Sequence, residues 1–213
     1  MSCCCPHSHS AGRLFSFFAR YYRRRFEKKG LEASQKQLMA GLEMAGYQDC
    51  TVLDVGSGVG YIHQTLLEQG AASAVGIDLS TEMIKESRAW AEQRGLVDRT
   101  NYLVGDFIYQ AELIDVADIC ILDKVVCCYP DAESLINLTL DKTSKIFALT
   151  YPRNKWYVRL ATGMAAVFLK VLRSEFRPYV HDRLLIEQWI ADQGYSKVYE
   201  NRTIVWLTQV YKR

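Results

Sequence analysis

The sequence predicts an α/β fold, a mainly parallel sheet with helices on both faces. Three observations lead there. Val52-Leu53-Asp54-Val55 is a short apolar strand that runs straight into Gly56-Ser57-Gly58-Val59-Gly60 and then a helical pattern. Strand-like and helix-like segments alternate from there toward the C-terminus. Ser196–Glu200 and Ile204–Tyr211 then alternate as a terminal strand pair.

Each element carries its own signal. Residues 12–29 read as a helix: Leu14, Phe15, Phe18, Tyr22 and Phe26 fall near one face, and Gly30 ends it. Arg20, Arg23, Arg24, Arg25, Lys28 and Lys29 make it strongly basic. A second helix, about 33–45, precedes the first strand. Helix Tyr61–Glu68 stops at Gly70, and helix Thr81–Gln93 stops at Gly95. Short apolar strands are predicted at Ala74–Asp78, Asn101–Val104, Ala117–Leu122 and Lys145–Thr150, with a short helix after Asp131. Two more helices, about Trp156–Leu172 and Asp182–Gln193, precede the terminal strands.

A chain of 213 residues suffices for one α/β domain with a full core. The net charge is only +2, so no whole-molecule attraction to nucleic acid is implied. DNA is not an expected partner. Seven cysteines, an odd number, and an N-terminus without the order of a signal peptide point to a reducing cytoplasm. The apolar stretch Leu160–Leu169 is too short to span a bilayer. The expected organisation is a disordered Cys/His tail at 1–10, a helical lid at 11–46 and a cofactor-binding domain at 47–213.

The glycine loop narrows the cofactor. Its spacing is Gly56-x-Gly58-x-Gly60, with Tyr61 where a dinucleotide fingerprint has its third glycine. No Gly-Lys-Ser/Thr follows, so the loop lacks the better-known signs of a phosphate site. Asp54 at the end of the strand would repel a pyrophosphate but suits an ammonium or a sulfonium, and S-adenosylmethionine carries both. Asp54 is expected to receive the methionine ammonium; the alternative is that it braces the loop. Asp78, followed by Leu79, ends the second strand at the distance where an acid binds ribose hydroxyls. Gly105-Asp106-Phe107 follows the third strand, where Asp106 could accept from the adenine amino group while Phe107 packs beside the ring.

These residues resemble a known family. Asp54-Val55-Gly56-Ser57-Gly58-Val59-Gly60, then Asp78, then Gly105-Asp106-Phe107 look like the class I S-adenosylmethionine-dependent methyltransferases. The likeness covers about residues 35 to 213. It implies a Rossmann-like sheet of seven strands with the last antiparallel, S-adenosyl-L-methionine as cofactor, and transfer of a methyl group to an acceptor.

The acceptor should lie beyond the carboxyl ends of the strands. Leu122-Asp123-Lys124-Val125-Val126-Cys127-Cys128-Tyr129-Pro130 and Thr150-Tyr151-Pro152-Arg153 deliver residues there. Asp123 is expected on the methionine side of the cofactor, with Lys124, Tyr151 and Arg153 around the acceptor. Lys124 or Arg153 could hold a carboxylate. Candidate bases are Tyr129 and His181, with His63 read as packing. His181 precedes a helix, where the N-terminus would favour the neutral imidazole. No Asn-Pro-Pro-Tyr follows the fourth strand, which disfavours amino methylation of DNA or glutamine. Asp-x-Val-x-x-Tyr followed by Thr-Tyr-Pro-Arg is similar to the magnesium-protoporphyrin O-methyltransferase branch. That likeness suggests a small anionic or aromatic acceptor, with Trp156, Tyr157, Met164 and Phe168 either lining its pocket or packing in the core.

Cys3-Cys4-Cys5-Pro6-His7-Ser8-His9 holds soft-metal ligand types but no Cys-x-x-Cys pair, so no metal site is specified. The basic aromatic helix at 12–29 is read as a lid, with weak contact to a membrane surface as a further property. Two other readings stand beside the enzyme: a non-catalytic cofactor-binding regulator or membrane-associated protein, and an RNA methyltransferase. The near-neutral net charge argues against the last.

Overall fold

A computed structural model describes residues 6–213, with side chains from Ser10 onward. The cysteines of the predicted tail, Cys3, Cys4 and Cys5, and the side chains of His7 and His9 lie outside the described residues. The first helix, α1 (Pro6–Lys29), starts at Pro6 and not at residue 12, so residues 6–10 of the predicted disordered tail are helical. Proline suits a first helical position because the N–H it lacks has no partner there.

The sheet follows from strands whose residues are buried on both faces. After α2 (Ala33–Ala45) come β1 (Thr51–Val55), α3 (Tyr61–Glu68), β2 (Ser73–Asp78), α4 (Thr81–Gln93), β3 (Thr100–Val104) and the single turn α5 (Phe107–Gln110). Then follow β4 (Ala117–Asp123), α6 (Ala132–Asp141), β5 (Thr143–Pro152), α7 (Trp156–Val171), α8 (Arg183–Asp192), β6 (Ser196–Arg202) and β7 (Trp206–Lys212). The seven strands lie in the order β3-β2-β1-β4-β5-β7-β6. β7 runs antiparallel to both neighbours, and every other pairing is parallel. The order in which strands are added reverses between β1 and β4, the switch point at which such sheets open a crevice. β6 at the edge is mostly exposed and polar, as an unpaired strand edge should be.

Alternation along β1 divides the core. Leu53 and Val55 join Phe107, Leu122, Leu135, Phe147 and Ile186 on one face. Val52 joins Leu38, Leu42, Ile62, Leu66, Ile119 and Val210 on the other. Helix starts are capped by polar side chains: Ser80 accepts from Met83 N, Asp131 from Ser134 N and Asp182 from Leu184 N. α1 crosses α4, tied by Arg23 to Glu86 at 2.8 Å and by Ser16 to Ser80 at 2.8 Å, while Phe26 stacks on Tyr61.

α7 departs from both expectations for it. Val158 is its one buried residue, while Met164 and Phe168 are 61% and 64% exposed. They neither pack in the core nor line a pocket, because the helix turns Val158, Thr162, Ala166 and Leu169 to the protein and these two side chains to the outside. No helix among the described residues is long and apolar enough to cross a membrane.

The loop after β1 is the tightest backbone constraint. Gly60 precedes α3 at φ +82°, and a Cβ there would lie 2.3 Å from Ser87 Oγ and 2.8 Å from Gln64 Nε2. Gly60→Ala should lower unfolding free energy by about 1–3 kcal/mol, the range for a strained backbone position. A thermal melt unchanged from the parent would show that the loop adapts.

Candidate active site

A cavity of about 1000 Å³, its open mouth included, lies at the switch point. That is large enough for a cofactor-sized ligand. Gly56, Ser57 and Gly58 form part of its wall, with Asp78 and Leu79 from the end of β2 and Phe107 from α5. Asp123, Lys124, Val125, Cys128 and Tyr129 arrive from the segment after β4. Phe15 and Tyr22 of α1 and Glu32 and Gln35 at the start of α2 complete much of the rest. Close approach fixes Gly56: at φ +68°, a Cβ would meet Val125 Cγ2 at 2.4 Å.

Asp78 is held by its neighbours. One oxygen accepts from Gly58 N and the other from Ser80 N, both at 2.8 Å. Burial pushes its pKa up to about 6 against the pull of these two N–H groups. Asp123 accepts from Gln35 Nε2 at 3.0 Å, and the oxygen of that amide accepts from Glu32 N. The other Asp123 oxygen is buried without a hydrogen-bond partner, and burial raises this carboxyl too. Ser57 Oγ and Tyr61 OH, also on the wall, are buried without a partner.

Several predicted residues stand elsewhere. Asp54 does not reach the cavity wall: it shares the face of Val52, pointing toward α3, and bonds His63 Nδ1 at 2.7 Å. His63 Nε2 meets Tyr102 OH, to which Gln64 also donates, and Gln64 reaches Ser87. Gly60 touches this buried network and not the cavity. Asp106 is also absent from the cavity wall; it caps α5 through Ile108 N and accepts from Tyr129 OH.

No predicted base faces the cavity in usable form. Tyr129 lines it, but its hydroxyl donates to Asp106, and burial drives its pKa up. His181 lies outside the wall, its Nε2 against the carbonyls of Val126 and Tyr129 at 3.1 and 2.9 Å. Burial lowers its pKa. Its task is to pin the segment after β4. Tyr151 is in the core, donating to Gln209 Oε1, because β5 is covered on both faces. Arg153 bonds the carbonyls of Thr203 and Ile204, closing the β6–β7 turn. Neither belongs to the cavity wall.

Lys124 does line the cavity, in a left-handed conformation at φ +62°. Its Nζ lies 2.6 Å from Glu32, which also binds Arg25 at 2.6 Å. Arg25, Glu32 and Lys124 together carry one net positive charge. Phe15, Tyr22, Glu32 and Gln35 were not predicted individually, although 11–46 was read as a lid. Among the described residues, no three His, Cys, Asp or Glu side chains are grouped to hold a metal.

A family profile described as a methyltransferase domain matches residues 47–201. The chain belongs to the class I S-adenosylmethionine-dependent methyltransferases. Similar solved structures include magnesium protoporphyrin IX methyltransferase from Synechocystis PCC 6803 with bound S-adenosylmethionine. It is 17% identical, with a TM-score of 0.71 and full coverage of both chains. The cyclase SpnF superposes at a TM-score of 0.69 with 12% identity, over 97% of this chain and 96% of that one. At such identities the likeness shows the fold. Ribosomal protein L11 methyltransferase from Pasteurella multocida is 42% identical over 65 residues, 30% of this chain and 22% of the relative. The curated relatives are thus matched over about a fifth of their length.

For a methyltransferase of this class the cavity residues fit the cofactor. The unpartnered oxygen of Asp123 suits an ammonium, Ser57 and the loop glycines a close backbone approach, and Asp78 a ribose diol. If Asp78 accepts from ribose hydroxyls, its ionised form binds. Affinity for S-adenosylhomocysteine should then hold above pH 6 and fall below it, by about tenfold at one pH unit lower. Calorimetry at pH 7.5 and 5.0 reads this, with Asp78→Asn flattening the profile; a flat profile in the parent removes Asp78 from the ribose. His63→Ala strands the buried Asp54 and should cost about 3–5 kcal/mol in urea unfolding. A loss under about 1 kcal/mol would mean the pair does not hold the loop.

Proposed function

We propose that this protein methylates a carboxylate on a small, largely apolar or aromatic molecule. S-adenosylmethionine supplies a methyl group already activated on a sulfonium. The chain then has to bind, align and exclude water. One observation supports a carboxylate above other acceptors. Among the described residues no histidine lines the cavity, and burial raises the pKa of its tyrosines, Tyr22, Tyr61 and Tyr129, so the acceptor should arrive deprotonated. A carboxylate does so at neutral pH, whereas an ammonium or a phenol must first lose a proton.

The wall chemistry agrees. The Arg25–Glu32–Lys124 cluster, net positive, stands where an anion would be held, and Phe15, Tyr22, Val55, Met83 and Val125 offer apolar surface. Asp123, steadied by Gln35, holds the ammonium of the cofactor through its free oxygen, and Asp78 holds the ribose. In this reading α1 and the start of α2 form a lid, and Lys124 positions the acceptor. Asp54 positions the loop from beneath without touching the ligand. The neighbour from Synechocystis is named for magnesium protoporphyrin IX, so porphyrin carboxylates are a first acceptor class to try.

Transfer of a labelled methyl group to panels of aromatic carboxylates, phenols and amines should favour the carboxylates. Lys124→Ala should raise the acceptor KM about tenfold while the Kd for S-adenosylhomocysteine stays within about twofold, as loss of one charged contact does. Faster methylation of amines, or an unchanged KM, would reject the carboxylate reading; absence of turnover with every class would favour a non-catalytic role.

A further inference from the structure

α7 wears its apolar face outward. Trp156, Leu160, Met164, Val167, Phe168 and Val171 recur at three- and four-residue spacing, so they share one side of the helix, and all are exposed. The side turned to the protein carries Val158, Thr162, Ala166 and Leu169. A solvent-facing stripe of this size on a helix marks a docking surface. The turn before β7 extends it: Tyr157 OH donates to Ile204 O at 2.9 Å, and Ile204 is itself exposed.

Charge selects the occupant. No acidic residue occurs from Lys142 through Ser174, while Lys155, Arg159, Lys170 and Arg173 are all exposed on or beside α7. α1 continues the pattern. Its inner residues Phe15 and Tyr22 wall the cavity, and its outer side shows Arg13, Phe17, Arg20, Tyr21, Arg24 and Lys28. The two helices meet where Phe15 packs edge-on against Phe176 and Ser10 Oγ accepts from Glu175 N. Apolar side chains rimmed by cations, with a tryptophan at one end, are the chemistry of a helix lying in a membrane interface. A second copy packed on α7 would set Arg159 and Lys170 against their own kind with no acid on the helix to offset them.

We propose that α7, with the outer side of α1, docks the protein on an anionic lipid bilayer. The docked orientation brings the helix that walls the cavity to the bilayer surface, where an apolar acceptor would partition. The inference rests on the placement of α7 and α1 and not on the identity of the acceptor.

The test is co-sedimentation of the full chain with vesicles of phosphatidylcholine alone or mixed with phosphatidylglycerol. Binding to the mixed vesicles should be at least tenfold tighter and should weaken with salt. Leu160→Glu and Phe168→Glu, both at exposed positions, should abolish it while leaving S-adenosylhomocysteine affinity unchanged. Arg159→Gln with Lys170→Gln should weaken it roughly fivefold per charge, about 1 kcal/mol each. Protein that stays in the supernatant with both vesicles overturns the proposal. So does a dimer in sedimentation equilibrium that Leu160→Glu dissolves, which would give the face to a second copy.

Discussion

The carboxylate of Asp78 is the interaction on which the C-terminal edge of the sheet depends. It joins the glycine loop after β1 to the cap of α4 through Gly58 N and Ser80 N. Ser80 in turn caps α4 and meets Ser16 of α1. One side chain therefore sets the relation of loop, helix and overlying helix. The arrangement has a cost, since burial raises the Asp78 pKa to about 6. Two backbone donors offset part of that cost, and ligand hydroxyls would offset more.

Beneath the loop lies a second polar layer. Asp54, His63, Tyr102, Gln64 and Ser87 link β1, α3, β3 and α4 with hydrogen bonds wholly inside the protein. Such a buried network favours one geometry, although Gln64 Oε1 within it has no hydrogen-bond partner. It explains why Gly60 tolerates no side chain: the network comes within a Cβ's reach of the loop backbone. The cavity is thus held from above by Asp78 and from below by Asp54, and the two acids divide tasks that their similar strand-end positions do not separate.

The alternation of strands and helices was readable because central strands buried on both faces appear as short apolar runs. The acids at the ends of β2 and β4 were readable because a charge at the end of such a run needs a partner. For Asp54 the period of two favours the bracing alternative: Val52 and Asp54 share a face, and that face packs against α3. His63, one turn into α3, was the partner to look for. Tyr151 and Arg153 were placed at the acceptor because they follow β5 in sequence. β5 instead lies between β4 and β7 with α2 and α6 packed against it, so Tyr151 enters the core and Arg153 closes a turn. The outward face of α7 was hidden for another reason. Periodicity reveals an apolar stripe, but not whether the protein or its surroundings will cover it.

The pairing of Lys124 bears on how the site can close. Lys124 sits in a left-handed conformation that costs an L-residue free energy, and its backbone N–H is anchored to Thr150 O at 2.9 Å. That conformation aims its ammonium at Glu32, where Arg25 arrives from α1. Gln35, one turn further along α2, reaches Asp123 beside it. The N-terminal helices are therefore fastened to the end of β4 by two polar contacts on adjacent residues, one for each half of the cavity. An anionic acceptor would compete with Glu32 for Lys124, whereas a cofactor ammonium would take the Asp123 oxygen that Gln35 leaves free. The acceptor loosens one fastening while the other holds, so the start of α2 can yield on the acceptor side and stay fixed on the cofactor side.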